Sequence, residues 1–85
     1  MEEIKNLKPE ELIPGKFYKI CAFEEWVFQF KSFGDSQIYV ICCATLHDGY
    51  FDGDDDGLFI EYNNNLIYEA SEDEIALFNK IKEEN

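Results

Sequence analysis

The sequence predicts a small α+β domain that is mainly β: a curved five-stranded antiparallel sheet, or an SH3-like barrel, closed by a C-terminal helix. Three observations carry that expectation. Segments rich in β-branched and aromatic residues recur between positions 16 and 70, bounded by clusters of Gly, Asp or Asn. After Ser71 the apolar period changes to three and four, as one face of a helix requires. With 85 residues, the chain suffices for a single core that hides roughly 60–65% of the unfolded surface, and for no second one. Residues 1–85 are therefore read as one domain: an N-terminal turn or short helix over 1–15, an antiparallel β core over 16–70 that carries an acidic loop at 47–57, and a helix over 71–83.

The elements follow in order. Pro9, with Glu10, Glu11 and Leu12 behind it, suits a short helical turn with Pro at its first position, although Lys8 makes a poor cap. Pro14 and Gly15 are the central residues of a type II turn, Pro presetting φ and Gly accepting a positive one. The stretches "KFYKICAF" (16–23) and "WVFQFK" (26–31) read as strands joined tightly through Glu24 and Glu25. In the second, Trp26, Phe28 and Phe30 share a core face, and Val27, Gln29 and Lys31 point to solvent. "SFGDS" turns the chain into "QIYVICCATL" (37–46), apolar on both faces as in a central strand. "LFIEY" (58–62), "NNN" and "LIYEA" (66–70) read as a second hairpin, because Asn tolerates left-handed turn conformations. "SEDE" (71–74) is a capping box, and Ile75, Leu77, Phe78 and Ile81 form the apolar stripe of the helix behind it.

Composition narrows the function. A hydrophobic fraction of 46%, with eight Phe, five Tyr and one Trp, is enough for a core in spite of a net charge of −12. Nineteen acidic residues stand against seven Lys and no Arg, which excludes direct contact with nucleic acid or an anionic membrane. Between Lys31 and Lys80 the sequence has no cation apart from the neutral His47. No apolar run approaches the ~20 residues that cross a bilayer, and the acidic start "MEEIKNLKPEEL" is no leader peptide, so a cytoplasmic protein is expected. Cys21, Cys42 and Cys43 read as reduced, largely buried thiols. One His, no Arg and no nucleophile motif leave no parts for an enzyme, and no cofactor is expected. His47 itself reads as a turn or strand-end residue, and the aromatics at 26, 28 and 30 read as core before they read as a peptide-binding groove.

The stretch "DGYFDGDDDG" (48–57) holds five Asp and three Gly. Three readings compete for it. Asp52, Asp54, Asp56 and Gly57 match the opening of a calcium-binding EF-hand loop, with the Leu58 carbonyl in the seventh ligand position. The twelfth position, however, is Asn63 in place of Glu, and both flanks read as strands. Alternatively, Asp48, Asp52, Asp54, Asp55, Asp56 and Glu61 form a carboxylate surface whose charge spacing approaches that of a nucleic-acid strand and which meets a basic surface of another protein. The third reading is a solvated loop, with Asp for turns and Gly for flexibility.

The motifs "PGKFYKI", "WVFQF" and "YEASEDEIALFNKI" together resemble small proteins encoded by phages and prophages of anaerobic gut bacteria. In those, a Gly-Lys-x-Tyr strand entry leads into a compact β-domain and a Glu-Ala-Ser/Thr-x-x-Glu helix ends the chain. The resemblance implies an inhibitor of a host nucleic-acid-binding defence protein, as in anti-CRISPR proteins that imitate DNA. It implies a nuclease as partner and the bacterial cytoplasm as location. A small sheet with an exposed strand edge is expected as a monomer or homodimer.

Overall fold

The computed structural model describes residues 6–21, 24–53 and 57–84. A 3-10 turn at Pro9–Glu11 is followed by β1 (Phe17–Cys21), β2 (Glu25–Gly34), β3 (Gln37–Thr45), β4 (Phe51–Asp52), β5 (Phe59–Glu61), β6 (Leu66–Glu69) and α1 (Glu72–Glu84). The mainly-β α+β class is the expected one. The sheet has six strands where five were expected, because β4 forms inside the acidic stretch. Its order is β4-β3-β2-β1-β6, with β5 also on β3, so the sheet is open and the barrel alternative does not form.

Local chemistry shapes the connections largely as the sequence predicts. Pro9 opens the 3-10 turn, and the Glu11 carboxylate accepts the Lys8 amide at 2.8 Å. Gly15 has φ +89, and the Lys16 amide donates to the Ile13 carbonyl at 3.1 Å, closing the Pro14-Gly15 turn. Asp35 and Ser36 both adopt positive φ and join β2 to β3 in the two-residue turn whose twist suits a hairpin. The first hairpin differs: Glu25 is already in β2, paired with Cys21, so the connection is residues 22–24 and not Glu24-Glu25.

The expected second hairpin is absent. Asn63 (φ 44) and Asn64 (φ 56) do make a tight reversal, with the Asn65 amide on the Tyr62 carbonyl at 2.8 Å. Yet β5 pairs with β3 and β6 pairs with β1, on opposite edges of the sheet. A flat sheet would put those edges about 19 Å apart, four strand gaps of about 4.8 Å. A tight turn with one further residue at each end reaches only about 15 Å. The sheet must therefore curl until its edges approach. Two register shifts in the β2–β3 ladder, leaving Ile41 and Lys31 without opposite partners, supply the bend.

Curling separates two cores. Inside lie Tyr18, Ile20, Phe28, Ile38, Val40 and Ile67, joined by Ile60 and Tyr62 from the other edge. Outside, Val27, Cys42 and Ala44 pack beneath Phe78 and Ile81 of α1. Val27 is thus fully buried rather than solvent-directed, because the helix covers the face that alternation alone assigns to water. Leu77, expected in the helical stripe, is 40% exposed. It sits about 100° around the helix from Phe78, and Glu74 takes up part of the sheet-facing arc instead.

Glu74 has two tasks. Its carboxylate accepts the Ser71 amide at 2.9 Å while the Ser71 hydroxyl accepts the Glu74 amide at 3.2 Å, completing the capping box. It also holds the Lys19 ammonium of β1 at 2.8 Å. Burial alone would raise the Glu74 carboxyl, but the Lys19 ammonium and the Ser71 amide outweigh it and hold it below its ordinary 4.5. The hydrogen bond to Glu74 raises Lys19 above 10.5, against the opposing effect of burial. The Glu74 contribution to stability is therefore complete above pH 4.5 and fades as pH falls through the lowered value, whereas that of Lys19 is complete below 10.5 and fades as pH rises through the raised one. We expect Glu74→Gln to cost about 1 kcal/mol in urea unfolding at pH 7 and progressively less as pH falls through the lowered value; a cost independent of pH would refute the ionic role.

Candidate functional site

β4 and β5 are two halves of one edge strand running along β3. Asp52 pairs with Cys43 and Phe59 with Tyr39, so six residues, 53–58, stand against three, 40–42. The segment between Asp52 and Phe59 is longer than the stretch of β3 between their partners, and both its ends are held. At one foot the Leu58 carbonyl accepts the Val40 amide at 3.1 Å. At the other Gly53 lies so close to β3 that a Cβ there would meet the Cys42 Cβ at 2.9 Å and the Phe51 ring at 3.0 Å. Gly53 is therefore required by contact, a reason the reading of it as a flexible loop residue missed. Gly53→Ala should cost about 1–3 kcal/mol by pushing the edge strand off β3, measurable by thermal unfolding; a melting temperature equal to that of the wild type would show that the foot is not seated.

The predicted site residues distribute along this edge. Asp48 is exposed in the turn after β3, a turn fixed by the Thr45 carbonyl and hydroxyl, which accept the amides of Gly49 and Tyr50 at 3.0 and 3.1 Å. Asp52 is half-buried on β4. Glu61 is exposed on β5 and accepts the Asn63 side-chain amide at 3.2 Å. Asp54, Asp55 and Asp56 lie outside the described residues. Glu61 stands opposite Gln37 and Asp52 opposite Cys43, about 20 Å apart along β3. Register sends Asp52 to the inner face beside Cys43 and Glu61 to the outer one, so the carboxylates are strung along the edge on both its faces and form no point cluster.

Two acidic residues that the sequence reading left out of the site extend the line. Glu24, from the β1–β2 connection, lies beside Asp48, whose carboxyl lifts that of Glu24 above its ordinary value. Asp35, in the β2–β3 turn, lies beside Ser36, whose carbonyl accepts the Tyr62 amide at 3.2 Å next to Glu61. Nothing local in the sequence marks either residue; only strand register brings them to the edge. The fold also corrects the picture of a region without cations. Lys82, at the end of α1, acts electrostatically on the Cys42 thiol, whose Cβ adjoins Gly53.

The Leu58 carbonyl, the proposed seventh calcium ligand, is engaged with the Val40 amide. Among the described residues no group of three or more His, Cys, Asp or Glu side chains is arranged to hold a metal ion. All three cysteines are free. Burial pushes the Cys43 thiol up to about 12, helped by the Asp52 charge, and burial raises Cys42 as well. His47 is exposed in the turn that ends β3. Phe28 and Phe30 are buried and half-buried Trp26 packs against the same cluster, so these aromatics belong to the core.

Comparison with known proteins finds no matching family model, no matching curated protein and no matching solved structure. Among the described residues no helix is long and apolar enough to cross a membrane.

Proposed function

We propose that this protein is a small, non-enzymatic binding protein of phage type that presents its acidic sheet edge to the nucleic-acid-gripping surface of a host defence protein, in the manner of a DNA-mimicking anti-CRISPR inhibitor in the bacterial cytoplasm. One observation carries the reading: the carboxylates follow a single sheet edge from Asp35 and Glu61 at one end, past Asp52, to Asp48 and Glu24 at the other. That edge is about 26 Å long, a length over which one strand of a duplex offers about eight phosphates. Five carboxylates lie along it, and the segment joining Asp52 to Gly57 carries three more aspartates in sequence. A groove of Lys and Arg built for a phosphate strand would relieve their mutual repulsion and steer the encounter.

Affinity capture from a bacterial lysate tests this. The wild type should retain nucleic-acid-binding proteins that elute with salt or with added duplex DNA. Retained proteins that resist both would overturn the reading. A second reading rests on the same edge: charge there prevents strand-to-strand association of copies. It expects neutralised variants to dimerise in sedimentation while capture is unchanged. Calcium at the same stretch makes a third forecast, a melting temperature that rises with millimolar calcium.

A further inference from the structure

Where β2 begins and β3 ends, two aromatic rings stand at the rim of the inner face. Trp26 is the register partner of Thr45, and on the other side of Thr45 the Tyr50 carbonyl accepts the Thr45 amide at 2.9 Å. Trp26, Thr45 and Tyr50 thus form one row, on the face that Phe28 and Cys43 share with the inner core. The two rings lie 6.1 Å apart and at 85° to one another. Trp26 is half-buried and Tyr50 is 54% exposed, so the rings make a corner at the surface. Carboxylates frame it. Glu24 precedes Trp26 by two residues and Asp48 precedes Tyr50 by two, which keeps each within about 7 Å of its aromatic along the backbone. Glu24 and Asp48 lie beside each other, and Asp52 follows Tyr50 on the same inner face, opposite Cys43. The described lysines sit elsewhere. Lys19 is held by Glu74, and Lys80 and Lys82 belong to the helix that covers the outer face. Lys16 and Lys31 flank Phe30, about 13 Å along β2 from Trp26, and Lys8 follows Leu7 on the far side of β6. His47, next to Asp48, is neutral at pH 7.

We infer that Trp26 and Tyr50, with Glu24 and Asp48 beside them, form a seat for one cationic side chain, lysine or arginine, of a protein partner. The seat goes beyond the acidic edge proposed above and uses no residue between 53 and 58. A cation is drawn to the faces of aromatic rings by their quadrupoles, and a corner of two rings offers two faces to one charge. The apolar stem of such a side chain packs on the rings while its N–H groups reach the carboxylates. Other occupants fit the chemistry less well. A wholly apolar partner would desolvate Glu24 and Asp48 without pairing them, and an anion would be repelled. A second copy would bring its own charge of −12. A metal ion finds no set of three ligands among the described residues.

Trp26 is the only tryptophan, so its indole N–H signal in two-dimensional NMR reports on the seat directly. The probe is fluorescein-labelled octa-lysine, with the same peptide acetylated on every side chain as the neutral control. Octa-lysine should shift the indole signal saturably, with the dissociation constant that anisotropy gives, and the acetylated peptide should not. Tyr50→Leu, which keeps apolar bulk but has no ring face, should weaken octa-lysine about threefold. Tyr50→Phe keeps the face and should bind like the wild type, so a general defect of substitution at this position does not decide the outcome. Joint Glu24→Gln and Asp48→Asn replacement should weaken binding and reduce its salt dependence. An indole signal that stays still while octa-lysine binds, or a Tyr50→Leu variant that binds like the wild type, overturns the seat and leaves the acidic edge standing. Weakening by Tyr50→Phe as large as by Tyr50→Leu overturns it as well, because the hydroxyl would then make the contact. Failure of octa-lysine to bind at all overturns the seat and the acidic edge together.

Discussion

Replacing Phe28 by Ala should lower the unfolding free energy by about 3–5 kcal/mol, a large part of the roughly 4–13 kcal/mol available to a domain of this size. Phe28 is fully buried inside the curl, 6.1 Å from the Tyr18 ring. It lies on the central strand pair, where no neighbour can move in without opening the sheet. Phe78→Ala should cost a similar amount with a different pattern. The Phe78 ring packs edge-on against Phe17 of β1 at 5.3 Å and against Phe51 of β4 at 5.9 Å. Its loss frees the helix and the foot of the acidic segment at once. Urea unfolding gives the totals, and amide hydrogen exchange separates the patterns, with faster exchange at Thr45 and Asp52 expected in the Phe78 variant alone. A loss below 1 kcal/mol for Phe28→Ala would contradict the inner core described above.

The joint replacement of Asp52, Asp54 and Asp56 by Asn should weaken capture of the basic partner by about 10- to 100-fold at physiological salt, chiefly through a slower association rate. Stability should hold or rise slightly. In an extended chain alternate carboxylates stand about 6.6 Å apart and repel by about 0.6 kcal/mol in a water-like dielectric, and Asn removes such repulsion while keeping the turn preference of Asp. Surface plasmon resonance over a range of salt concentrations reads both rates. An unchanged association rate, or a melting temperature that drops by several degrees, would mean that these aspartates serve the fold and not a partner.

The capping box at Ser71 and Glu74, the Pro14-Gly15 turn, the Asn63 and Asn64 reversal and the apolar β3 strand are all legible in the sequence. Each depends on residues within a few positions of one another, where side-chain chemistry acts directly on the local backbone. Val27, Leu77 and the absent second hairpin were not legible. Their fates depend on the side of the sheet that the helix covers and on how far the sheet curls, and no window of neighbouring residues encodes either. The candidate site divides in the same way. The density of aspartate between 48 and 57 is plain in the sequence, but the alignment of Glu24, Asp35 and Glu61 with it is not.

By itself, then, the sequence determined a single mainly-β domain, its turns and caps, and a concentration of negative charge in one stretch. Only the tertiary structure decided that the two ends of this stretch, Gly53 and Leu58, are held against β3, that distant carboxylates share its sheet edge, and that Phe59 and Ile41 stay exposed. The reason is geometric. Charge and turn preference are properties of a residue and its neighbours in the chain, whereas a shared edge or an exposed patch exists only once strand register and sheet curvature have set distant residues side by side.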